Sequence, residues 1–131
     1  MRVYRYMSMT EFNKMSTGMD MINNKNHSIT CNSTSKGFCF LGGDANDATF
    51  AIRFLNGIVS NDILVEFYTT ETSLTPSVGI YANPYSNNWD DNILVDEFCC
   101  KTYNKKSFHP LRYCFVGDLD KNHQQIWYNF N

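Results

Sequence analysis

The sequence predicts a single α+β domain, residues 1–131, built on twisted, mostly antiparallel sheets of about six to seven strands with two short helices in the N-terminal half. Three observations predict it. A chain of 131 residues is long enough to bury most of the surface that its unfolded form exposes, and too short for two comfortable cores. Hydrophobic residues at 43% and charged residues at 18% place it among globular rather than disordered chains. Apolar runs of period two, divided by turn residues, outnumber the two stretches that carry helical spacing.

The first strand is Val3 to Ser8, with Met1, Val3, Arg5 and Met7 on one face and Arg2, Tyr4, Tyr6 and Ser8 on the other. Arg5 thus sits on an otherwise apolar face, where a guanidinium needs an anion or several acceptors; Glu97, Asp96 and Glu66 are its candidate ion-pair partners. Ser8-Met9-Thr10-Glu11 has the form of a capping box, so a helix starts there, carries Phe12, Met15 and Met19 inward, and stops near Gly18. Residues 20–32, rich in Asn, Lys, His and Ser, read as a loop.

A strand over Ser33 to Leu41 begins polar and ends apolar, and Gly42-Gly43 closes it. Asp44 or Asn46 caps the second helix, whose Ala48, Ala51, Phe54 and Leu55 form a stripe ending at Gly57. Asp62 to Tyr68 is a strand, Pro76 a breaker, and Val78 to Tyr81 a shorter strand. Residues 83–92 form a loop with Pro84, Tyr85 and Trp89 among polar neighbours, a composition common in recognition surfaces. Ile93 to Tyr103 is the longest strand pattern, apolar on both faces, and is expected at the centre of the sheet with Asp96 and Glu97 out of place in it. Leu111 to Val116 and Gln125 to Phe130 finish the chain as a pair of strands about the Gly117-Asp118 turn.

A net charge of -2 gives no global basic field for a nucleic-acid backbone, and no apolar run approaches the ~20 residues that span a bilayer as a helix. The five cysteines (Cys31, Cys39, Cys99, Cys100 and Cys114) are odd in number, and no apolar leader opens the chain. The expectation is a reducing, cytoplasmic compartment with strand thiols buried and inert. Activation of Cys39, Cys99, Cys100 or Cys114 by His27, His109 or His123 is the rival enzymatic pattern. No C-x-x-C pair or paired-histidine spacing marks a zinc site, so no metal is expected. Gly42-Gly43-Asp44 lacks the further glycines and the lysine of a phosphate loop.

Arg5 on the first strand, Ser33-Thr34-Ser35 opening the second, and Glu97 on a later strand occur in the order arginine, hydroxyls, carboxylate. In this layout the chain resembles the ADP-ribosyltransferase superfamily, in its arginine-serine-glutamate branch. The resemblance implies a split β-sandwich and mono-ADP-ribosyl transfer from NAD to a macromolecular acceptor. Glu97 would be catalytic, and Arg5, Ser33 and Ser35 would bind NAD with Tyr6 or Phe38 stacking on nicotinamide. Tyr81, Tyr85 and Trp89, in the segment before Glu97, would face the protein or nucleic-acid acceptor. Val95 stands where many members with this arrangement carry a second Glu or Gln, which argues against an arginine acceptor.

The chemistry has its own logic. A carboxylate beside ribose stabilises an oxocarbenium-like transition state, and the planar fork of arginine matches pyrophosphate oxygens. The alternative is a small non-enzymatic binding or inhibitor protein of phage or mobile-element type, acting through the aromatic loop and a sheet edge.

Overall fold

The computed structural model describes residues 1–18, 38–55, 62–81, 88, 91, 93–101 and 104–130. In chain order these form β1 (Arg2–Met7), α1 (Met9–Ser16), β2 (Phe38–Leu41), α2 (Ala45–Leu55), β3 (Ile63–Thr69) and β4 (Thr75–Tyr81). Then come β5 (Ile93–Cys100), a 3-10 turn at Lys105–Ser107, β6 (Phe108–Phe115) and β7 (Tyr128–Asn129). The strands make an antiparallel seven-stranded sheet in the order β4-β5-β2-β1-β3-β6-β7. Among the described residues the protein is therefore α+β, with the two helices and the strand number that the sequence predicts.

The alternation along β1 organises both faces. Val3 and Met7 enter one core with Phe38, Phe40, Val65, Phe67, Phe108 and Met15 of α1. Tyr4 and Tyr6 enter the other with Leu41, Leu64, Cys114 and Ala48 of α2. Each helix thus covers one face, and β1 is buried on both because it lies at the middle of the sheet. On the α1 face, Phe108 stacks on Phe40 at 4.8 Å between centroids and Phe67 meets Phe40 edge-on at 5.8 Å. Each such ring stabilises the fold by roughly 1.5–3 kcal/mol through burial.

Several boundaries differ from the sequence reading. The central position belongs to β1, while β5 lies one strand in from the edge, with Leu94 68% exposed. A run of apolar residues reports burial somewhere along its length, and Glu97, Cys99 and Cys100 are indeed buried, but it does not report rank within the sheet. Pro76 does not precede β4 but lies within it, opposite Phe98; an edge strand tolerates the missing amide because one side has no ladder to supply. Similarly β6 begins at Phe108, so that Pro110 falls in the strand opposite Phe67, beside the irregularity at Glu66 and Phe67. The last strand shrinks to two residues, preceded by a bridge between Leu119 and Gln125.

The register sets Cys39 directly opposite Cys99, with α-carbons 4.2 Å apart, and the two sulfurs are joined as a disulfide. The expectation of inert thiols on these strands therefore fails for this pair: alternation predicts burial, but cross-strand register decides which sulfurs meet. Cys100 and Cys114 are free and buried, and burial pushes each thiol up to about 11.

Candidate functional site

Arg5 finds its anion six residues away. Ser8 caps α1 by accepting a hydrogen bond from the Glu11 amide at 3.1 Å. The Glu11 carboxylate then turns inward to accept from Arg5 Nε at 2.8 Å instead of reaching back across the cap. Arg5 also donates through Nη1 to the Cys39 carbonyl at 2.7 Å, and its guanidinium carbon lies 5.7 Å from the centre of the Phe40 ring. Both charges are nearly excluded from solvent. None of the three partners expected from the sequence is Glu11, although Glu11 and Met15 lie one turn apart on the inward stripe of α1, and that spacing was the available signal.

Glu97 lies on the other face. Leu41 stands opposite both Tyr4 and Glu97, and residues directly opposite across strands project to the same side. Glu97 therefore shares the α2 face with Tyr4, while Arg5, next to Tyr4 in the chain, projects to the α1 face with Phe40. Asp96, rather than Glu97, is the carboxylate on the face of Arg5, and it is exposed. Tyr6 is buried on the α2 face, where its hydroxyl donates to the Ala48 carbonyl at 2.7 Å and anchors α2. Phe38 is buried in the α1-side core, so these two rings do not flank one ligand position. Tyr81 ends β4 opposite Ile93. Ser33, Ser35, Tyr85 and Trp89 lie outside the described residues.

What the structure does gather is a row across the α2 face: Glu97, Leu41, Tyr4, Glu66, Arg112 and Asn129, one each from β5, β2, β1, β3, β6 and β7. Glu66 is its buried centre. Arg112 donates to Glu66 through Nε and Nη2, both at 3.1 Å, and Arg2 approaches at 3.5 Å. Desolvation pushes the Glu66 carboxyl up, but the hydrogen bonds from Arg112 and Tyr4 and the charges of Arg112 and Arg2 outweigh it and hold the group below the usual carboxylate range. Burial, and then the bond to Glu66, push the Tyr4 hydroxyl well above its ordinary value. At neutral pH the cluster is thus a fixed carboxylate with a protonated phenol and two cations.

Two hollows adjoin this cluster. One, of about 460 Å³, lies between the start of α2 and Arg2, Tyr4, Glu66 and Arg112. The chain enters α2 through Gly43, whose positive φ of 81° and close approach to Asp47 leave no room for a side chain. Asp44 and Asp47 then cap reciprocally, each carboxylate accepting from the other's amide at 2.8 and 3.1 Å. The second hollow, of about 700 Å³, lies between α2 and the turn that precedes β7; Ala45, Asn46 and Trp127 line both. Arg112 stacks on Trp127, with its guanidinium carbon 4.1 Å from the ring centre. Nothing in a single strand pattern shows that Glu66 and Arg112 are cross-strand partners; only the β3–β6 register brings them together.

Comparison with protein-family models, curated proteins and solved structures finds no match to this chain. Among the described residues, no group of three or more His, Cys, Asp and Glu side chains is placed to hold a metal ion, and no helix is long and apolar enough to cross a membrane.

Proposed function

We propose that the protein is a small non-catalytic binding protein that recognises a macromolecular partner through its β4 edge. The observation that carries this reading is the apolar step on that edge. Val78 on β4 and Leu94 on β5 are diagonal neighbours on one face, 52% and 68% exposed. Sheet edges are usually guarded by charge or by a covering element, and an edge strand flanked by exposed aliphatic residues is suited to strand addition by a partner. Leu94→Asp tests it. A tagged protein should retain a stoichiometric partner from lysate of its source cell, and the variant, with its fold intact by circular dichroism, should lose that partner. Equal recovery by both baits would remove the edge from the account.

The second reading is mono-ADP-ribosyl transfer from NAD on an ADP-ribosyltransferase-like split sandwich, with Glu97 catalytic and Arg5, Ser33 and Ser35 binding the dinucleotide. One observation favours it: β1 and β5, which carry Arg5 and Glu97, lie on either side of β2 in the sheet. Against it stands the projection of Arg5 and Glu97 to opposite faces, since one ligand between them would have to pass through the sheet. NAD, a protein or nucleic-acid acceptor and a cytoplasmic setting belong to this second reading.

A further inference from the structure

Cys39 ties four elements of the fold together. Its side chain is bonded to Cys99 of β5, and its carbonyl accepts from Arg5 Nη1 of β1, which is itself held by Glu11 of α1. Among the described strands, β4 and β5 join the rest of the sheet only through β2, and β2 has four residues. The Cys39–Cys99 bond therefore fixes the β4–β5 pair to the body at the one short strand that connects them.

The register lets this bond open and close in place. The Gly42 amide donates to the Asp96 carbonyl at 3.0 Å, so by alternation Phe40 and Phe98 exchange hydrogen bonds while Cys39 and Cys99 form a pair that does not. Pairs of that kind lie closest, and these two α-carbons are 4.2 Å apart, so the bond spans the ladder without displacing a rung. When it is open, the rungs at Phe40–Phe98 and Gly42–Asp96 still hold β5 in register, and two thiols suit these buried positions. Neither Cys100 nor Cys114 competes for the exchange. Cys100 projects to the α1 face, opposite to its neighbour Cys99, and Cys114 lies on β6, three strands from β2.

Cys99 is the sulfur nearer the open side of the sheet. It pairs with Thr75, the exposed first residue of β4, which is followed by Pro76 with no amide to donate. Fraying of that strand end uncovers Cys99 while the β1–β3–β6 ladders stay closed. We propose that the Cys39–Cys99 bond is a redox-controlled staple, opened by a dithiol reductant, that sets how firmly the β4–β5 pair is held to β2. A thiolate of the reductant attacks Cys99 Sγ and displaces Cys39 as a thiolate. The second thiol of the reductant then displaces Cys99 and closes as a cyclic disulfide, and Cys39 and Cys99 each take up a proton. A low-molecular-weight disulfide reverses the exchange. Because β4 and β5 carry Val78 and Leu94, the staple also governs how rigidly that edge is presented, a consequence that rests on the binding reading proposed above.

Hydrogen exchange of the full chain, read by peptide mass spectrometry before and after native dithiothreitol treatment, tests this, with iodoacetamide labelling under denaturing conditions to count freed thiols. Reduction should free Cys39 and Cys99, quicken amide exchange in β4 and β5 about tenfold or more, and leave β3 and β6 within about twofold. Oxidised glutathione should restore the bond and the slow exchange. Cys39→Ala/Cys99→Ala should exchange like the reduced parent and ignore dithiothreitol. Unchanged exchange in β4 and β5 once the bond is open, resistance of the bond to native dithiothreitol, its absence after oxidised glutathione, or loss of protection throughout the sheet on reduction would overturn the staple as a switch. If the double variant fails to fold, the comparison of oxidised and reduced parent decides alone. No partner enters these measurements, so failure of the β4 edge to bind one leaves their outcome unaffected.

Discussion

Arg5 and Glu11 form a buried ion pair, 2.8 Å from Nε to Oε1, that ties the central strand to the helix that follows it. Two charges this deep are held by each other and by the Cys39 carbonyl, so removing one leaves the other with a large desolvation penalty. Arg5→Ala or Glu11→Ala is expected to cost roughly 3–5 kcal/mol in urea denaturation. The double variant Arg5→Met/Glu11→Leu should recover most of that loss, because it removes both charges and keeps apolar volume. A single variant within about 0.5 kcal/mol of the parent, the range of ordinary surface changes, would show that the pair does not hold the fold.

Glu66 makes stability depend on acid. Its folded carboxyl titrates below the unfolded one, so its contribution is complete above the ordinary glutamate value of about 4.3 and drains as pH falls from there through the depressed folded value. Glu66→Gln should therefore be less stable than the parent at pH 6, and the gap should narrow steadily below pH ~4.3. Denaturant midpoints at several pH values measure this. A gap that is independent of pH would remove the carboxylate's charge from the explanation.

Cys100 and Cys114 should resist alkylation in the folded protein. Burial leaves both as thiols, pushed up to about 11, so very little thiolate exists at pH 8. Brief iodoacetamide treatment followed by peptide mass mapping should find both unmodified until denaturant is added. Rapid native labelling of Cys114 would instead revive the cysteine-nucleophile chemistry that the apolar strand pattern disfavours.

The strand patterns made the faces of β1 legible before any coordinate. Val3 and Met7 go one way, Tyr4 and Tyr6 the other, and Ser8 caps α1. Alternation and capping are local properties, written within a few residues. The sites were much less legible. Alternation marks Arg5 as an inward cation in need of an anion, yet its partner Glu11 also has the place of the second half of a capping box. The Glu66–Arg112 pair depends on the β3–β6 register, and the relation of Arg5 to Glu97 on the β1–β2–β5 register, which no single segment encodes. A one-residue choice between Asp96 and Glu97 decided which carboxylate shared the face of Arg5, and position in sequence does not make that choice.

The opposed projections of Arg5 and Glu97 stand against one NAD site between them, and the proposed role is binding without catalysis. Incubation of the purified protein with biotinylated NAD and source-cell lysate tests this most directly, with Glu97→Gln alongside. No labelled acceptor above background is expected from either protein. Labelling by the parent that Glu97→Gln abolishes, with the variant's fold unchanged, would contradict it.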